Sequence, residues 1–191
     1  MDKKSLILSI FCGICVLGSL QAVNYINTKS LNQQTQTVKK ETIKDSEIFT
    51  SMTFEDAISF FENKESGILY FGFTDCPWCQ QAKPYLKKQA KSSDVKVHYI
   101  QTREDDEEHT RLYTDEQKER ILPYIKEYME KDDENELTLY VPLVLNVKNG
   151  IVVDGHMGTV NGHDATQRKM NDDEKKELVK RYKKLFDTKG E

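Results

Sequence analysis

Ile68-Leu69-Tyr70-Phe71-Gly72-Phe73-Thr74-Asp75-Cys76-Pro77-Trp78-Cys79 is the stretch whose reading decides the fold. Its first six residues form an apolar, aromatic-rich run, which predicts a short buried strand. Two polar residues follow, and then two cysteines separated by Pro77 and Trp78. Pro77 suits the first position of a helix, where its missing N–H would have no partner anyway. A strand therefore delivers Cys76 to a helix start, where unpaired backbone N–H groups and the helix dipole favour a thiolate. A lower thiol pKa gives more nucleophile at neutral pH and a better leaving group. Cys79 comes close enough to attack a disulfide made by Cys76. The helix is expected to run to about Ala90, with a kink at Pro84.

Upstream, Thr53 and Asp56 have capping-box spacing, and Phe54, Ala57, Ile58 and Phe61 recur with helical period. Downstream, Val95 to Ile100 reads as a second strand. Residues 102–136 hold 14 Asp or Glu against 6 Lys or Arg. Ile121, Leu122, Ile125, Tyr128 and Met129 recur there at helical spacing, and Pro123 must kink or divide that helix. These charges read first as a solvated face and second as a docking surface for a basic partner. Leu137 to Val147 is apolar and β-branched, with Pro142 inside it. Asn149-Gly150 separates it from Ile151-Val152-Val153, a strong hairpin signal. Asn171 and Glu174 cap a last helix, with Leu178, Val179, Tyr182, Leu185 and Phe186 as its buried stripe. The order predicts an α/β domain with a mixed central sheet and helices on both faces.

The chain has 191 residues, enough for one domain with appendages. Net charge is −4, and no basic face of the kind that binds nucleic acid is apparent. Lys3 and Lys4 precede an apolar run from Leu6 to about Ile26. About 20 apolar residues cross a bilayer as a helix, and lysines before the run hold the N-terminus in the cytoplasm. Residues 1–26 are therefore expected to be an uncleaved single-pass anchor in the cell membrane, with the rest extracytoplasmic. The alternative is a signal peptide cut after Ala22 and a secreted domain, although Leu20 suits such a cut poorly. Cys12 and Cys15 lie inside the run and read as small hydrophobes. Residues 27–47 are polar and read as a spacer, leaving 48–191 as the folded domain.

A lone Cys-x-x-Cys has other uses. Structural zinc needs about four ligands, and His98, His109, His156 and His163 are scattered. A Cu(I) carrier is a stronger rival because thiolates suit Cu(I), with His156 or Met157 as a further ligand. The reading adopted has no metal and no cofactor.

Ile68–Phe73, Cys76-Pro77-Trp78-Cys79, and Pro84 five residues further on resemble the active-site pattern of the thioredoxin superfamily. A second block, Val141-Pro142 followed by Lys148-Asn149-Gly150, resembles that family's cis-proline site and hairpin turn, and Gly158 has the spacing of a glycine near that loop. The resemblance covers roughly residues 50–187, with an acidic helical insert at about 103–136. It implies a thioredoxin-like fold and a thiol–disulfide oxidoreductase. Cys76 would be the exposed nucleophile, Cys79 the buried resolving thiol, and Pro77 part of the active-site motif. Trp78, Val141 and Pro142 would contact the client, with Trp78 on the exposed rim. Implied partners are cysteine-containing proteins or peptides and a separate redox partner. The family's reductases usually carry a buried acid six positions before the first cysteine, whereas this chain has Tyr70. Asp75 places negative charge beside Cys76. More loosely, the tether, the acidic insert and Gly155–Asp164 resemble thioredoxin-like bacteriocin-transport accessory proteins of Gram-positive bacteria. That likeness implies a helper for exported peptides, either catalytic or only client-binding.

Overall fold

The structure is a computed structural model that describes residues 43–188. The expected anchor, 1–26, and most of the expected spacer lie outside the described residues. Among the described residues no helix is long and apolar enough to cross a membrane.

Strand β1 (Phe49–Met52) precedes helix α1 (Phe54–Glu62). Strand β2 (Gly67–Gly72), helix α2 (Pro77–Ser93) and strand β3 (Val97–Gln101) follow. Next come helix α3 (Asp115–Ile125) and the two-residue strands β4 (Glu130–Lys131) and β5 (Leu137–Thr138). Strands β6 (Leu143–Lys148) and β7 (Ile151–Met157) and helix α4 (Asp172–Asp187) complete the order. The main sheet runs β1-β3-β2-β6-β7. β3 is parallel to both β1 and β2, whereas β6 is antiparallel to β2 and to β7.

Central β2 shows why the quoted run is continuously apolar. Leu69 and Phe71 join the core under α1 and α3. Ile68 and Tyr70 join the core under α2 and α4. Alternate side chains leave a strand on opposite faces, so a strand covered by helices on both sides needs apolar residues at every position. Both capping boxes form, Thr53 with Asp56 and Asn171 with Glu174. Asn149 and Gly150 take positive φ, 51° and 74°, in the two-residue turn between β6 and β7, the conformation such a hairpin demands.

Several expectations change. The sequence reading had no strand before α1, yet β1 pairs along β3. α2 continues past Ala90 to Ser93, with Pro84 inside it. The residues ahead of Pro142 are not one strand with those after it: 137–138 pair with 130–131, and β6 begins at Leu143. The acidic stretch is not a helical insert throughout. Its helix, α3, belongs to the core, with Ile121 and Ile125 buried against α1 and the sheet. Residues 130–138 fold as a hairpin because Asp132 accepts backbone N–H groups from Glu134 and Glu136, at 3.0 and 2.9 Å. Asn135 turns the chain with a φ of 65°. Such side-chain bonds compete with helix formation.

Candidate active site

Cys76 is the N-cap of α2, and Pro77 opens the helix. The Cys79 N–H donates to Cys76 Sγ at 3.1 Å, and the Trp78 N–H also bonds this sulfur. Both donors are orphans of the first helical turn, here aimed at sulfur. The Cys76 thiol reaches toward the Val141 carbonyl oxygen at 3.7 Å. The Val141-Pro142 peptide is cis, and the Gly158 N–H donates to the Pro142 carbonyl at 2.8 Å. The β6–β7 end of the sheet thus holds the proline loop against the start of α2.

The six residues singled out from sequence come together at this place. Cys76, Pro77, Trp78 and Val141 line one groove of about 680 Å³, and Pro142 is buried beside it. One expectation is corrected. Cys76 is not openly exposed but only 3 % accessible, because the Val141 segment lies over it. Its access to a client is through the groove. Cys79 is 2 % accessible, and Trp78 is half-buried rather than fully on the rim.

The two thiols differ in acidity. The hydrogen bond from the Cys79 thiol is the largest influence lowering the Cys76 pKa. Burial opposes it, and the backbone N–H groups of Cys79 and Trp78 add to it. The Cys79 pKa is pushed up, first by burial and then by its bond to Cys76 and that sulfur's charge. The Phe73 N–H and the Tyr70 hydroxyl oppose this rise by bonding the Cys79 sulfur. Cys76 is therefore the first of the pair to ionise. In chemical terms the site presents the more acidic thiol at a groove, with a second thiol held behind it in contact.

Sequence reasoning missed the groove walls. Phe73, Arg103, Glu108 and His109 line the groove, and so do Glu130, Thr138 and Tyr140. Arg103 donates to the His109 carbonyl at 3.0 Å, and the His109 ring packs on Phe73. These residues come from an irregular loop and a short hairpin, for which the sequence carries no periodic signal. Of the two candidate copper ligands, Met157 lines the groove with Cys76. His156 uses Nε2 in a 2.6 Å hydrogen bond with the Thr159 carbonyl. Among the described residues no three His, Cys, Asp or Glu side chains are grouped to hold a metal ion.

No family model matches the sequence, and no curated protein matches it. Solved structures similar to it include thioredoxin O2 from Arabidopsis thaliana in the oxidised state. That protein is 15 % identical, with 64 % of this chain and 89 % of that one covered at a TM-score of 0.36. Thioredoxin from Trypanosoma brucei brucei is 12 % identical, with 63 % and 86 % covered at 0.37. Thioredoxin from Fasciola hepatica is 17 % identical, with 68 % and 94 % covered at 0.34. The chain's own geometry carries the assignment: with a β1-β3-β2-β6-β7 sheet, a cysteine pair starting α2 and a cis proline facing that pair, the described residues form a thioredoxin-like fold.

Proposed function

We propose that this chain is an extracytoplasmic thiol–disulfide oxidoreductase in which Cys76 attacks the client and Cys79 resolves the mixed disulfide. The observation that carries the reading is Cys76 Sγ, bonded by the Cys79 N–H at 3.1 Å and facing the groove beside Val141. The Cys76 thiolate attacks one sulfur of a client disulfide, forming a mixed disulfide and releasing the other client sulfur as a thiolate. Cys79 then loses its proton to solvent and attacks Cys76. The Cys76–Cys79 bond forms, and the bound client sulfur leaves with the electron pair and takes up a proton. Run backwards, the same steps oxidise a client dithiol. Trp78, Val141 and Pro142 supply the client contacts, and the backbone at Val141 suits an extended segment. Clients are cysteine-containing exported proteins or peptides, and a separate redox partner regenerates the pair. The apolar run at 6–26 supports a membrane tether.

The test compares the full chain with Cys76→Ser in insulin reduction and in dithiol oxidation. The expected result is activity in at least one assay that Cys76→Ser abolishes. Equal rates for both chains in both assays would overturn the reading. A membrane-impermeant thiol reagent applied to intact cells tests the location, with labelling of Cys76 expected without lysis.

The groove walls favour a second reading, a peptide-holding accessory to export. That role predicts client capture undiminished by Cys76→Ser and lost on deletion of the 130–138 hairpin.

A further inference from the structure

Tyr70 is 1 % accessible and lies in the core between the sheet and the α2 and α4 helices. A phenol buried so completely needs a partner for its hydroxyl. The partner is the Cys79 sulfur. Gly72 leaves room for this contact, since a Cβ there would stand 2.8 Å from the Tyr70 hydroxyl oxygen and 3.2 Å from Cys79 Sγ. The Phe73 N–H is a second donor to the same sulfur. Cys79 Sγ therefore sits in a small pocket of hydrogen-bond donors, the arrangement that stabilises an anion formed during a reaction.

Among the described residues, the titratable groups facing Cys79 are Cys76 on its own helix, Tyr70 on β2, Tyr99 on β3 and Tyr182 on α4. Burial pushes the Tyr99 hydroxyl up to about 12 and raises Tyr70 and Tyr182 as well. A phenol so held keeps its proton at neutral pH. It can donate to a thiolate but cannot take the thiol's proton.

We infer that Tyr70 is a catalytic residue whose hydroxyl stabilises the Cys79 thiolate by donation, while the Cys79 proton leaves to solvent. The inference rests on the proposed exchange reaction and assigns the chemistry of its second half. Cys79 thiolate, bonded by Tyr70 and Phe73, attacks the Cys76 sulfur of the mixed disulfide. The Cys76–Cys79 bond forms, the bond to the client sulfur breaks, and that sulfur carries away the electron pair. In the reverse direction Tyr70 stabilises Cys79 as leaving group.

The experiment mixes the reduced full chain, carrying Cys12→Ser and Cys15→Ser so that Cys76 and Cys79 are the thiols present, with dithiobis(nitrobenzoate), an aromatic disulfide whose released thiolate is coloured. Attack by Cys76 releases one chromophore, and resolution by Cys79 releases a second. Tyr70→Phe is expected to leave the first phase near the original rate and to slow the second about threefold: losing one hydrogen bond to a charged group leaves about tenfold less Cys79 thiolate, and the more basic thiolate attacks somewhat faster. Tyr182→Phe removes a hydroxyl from the same buried region, one with no hydrogen-bond partner among the described residues. It is expected to change neither phase. A second phase as fast in Tyr70→Phe as in the original chain overturns the inference. A first phase that survives Cys76→Ser instead overturns the exchange reading itself. Should Tyr70→Phe not fold, 3-fluorotyrosine at position 70 keeps the ring and strengthens the donor. It should speed the second phase, and an unchanged rate again overturns the role of Tyr70.

Discussion

Removing the Cys79 thiol while keeping its backbone N–H should raise the acidity threshold of Cys76. The cause is the hydrogen bond from the Cys79 side chain, the largest influence holding the Cys76 thiol below its ordinary value. A hydrogen bond to a charged group is worth about 1.5–3 kcal/mol. Taking the lower end, Cys79→Ala leaves about tenfold less Cys76 thiolate wherever the thiol form dominates in both proteins. Cys79→Ser restores an O–H donor and should recover most of it. Ultraviolet thiolate absorbance across a pH series reads that population directly. Alkylation by iodoacetamide reads it less steeply, because a more basic thiolate is also a better nucleophile. With a Brønsted slope of about 0.4–0.5, tenfold less thiolate appears as about a threefold fall in rate. Superimposable titrations for Cys79→Ala and Cys79→Ser would refute the reasoning. The backbone donors or the groove, not the second thiol, would then set the acidity of Cys76.

Three other substitutions probe the supports of the site. Gly72→Ala forces a methyl group against the buried Tyr70 hydroxyl and Cys79 sulfur; urea unfolding should show a loss of about 1–3 kcal/mol. Asn146→Ala removes donors to the Leu185 and Thr188 carbonyls, at 2.7 and 2.9 Å; the same measurement should lose about 1–3 kcal/mol as the end of α4 detaches from β6. Asp154 is gripped by Arg181 at 2.8 Å, and that hydrogen bond is the first cause of its lowered pKa. Because the folded-state pKa is depressed, the stability Asp154 contributes is present above the ordinary carboxylate range. It is lost as pH falls through the depressed value. Asp154→Asn should therefore be less stable than the original chain at neutral pH, and the gap should narrow in strong acid; a gap constant with pH would count against the ion pair.

The elements legible in the sequence were those that local chemistry specifies. Ile68–Phe73 had to be covered on both sides, and Asn149-Gly150 and the caps at Thr53 and Asn171 dictate their own geometry. β1 escaped notice because Phe49–Met52 is short and its two middle residues are exposed. It is a strand because β3 offers it an edge. The hairpin at 130–138 was hidden by acidic residues whose charge says solvent and nothing about shape. At the site, spacing was enough to pair Cys76 with Cys79, and the resemblance to the thioredoxin superfamily was needed to add Pro142. The burial of Cys76 was not legible, since it depends on a segment 65 residues away folding over it. Tyr70 was visible as an oddity of position. Its parity with Ile68 puts it on the face shared with α2, but only the fold shows that its hydroxyl meets Cys79.

The seclusion of Cys79 has a consequence for the order of events. Cys76 lines the groove and Cys79, buried behind it, does not, so electrons arriving and electrons departing pass the same gate at Cys76. Whichever molecule resets the pair must occupy the place a client has just vacated. Supply and demand at this protein are then mutually exclusive visits, and a surplus of one visitor should starve the other.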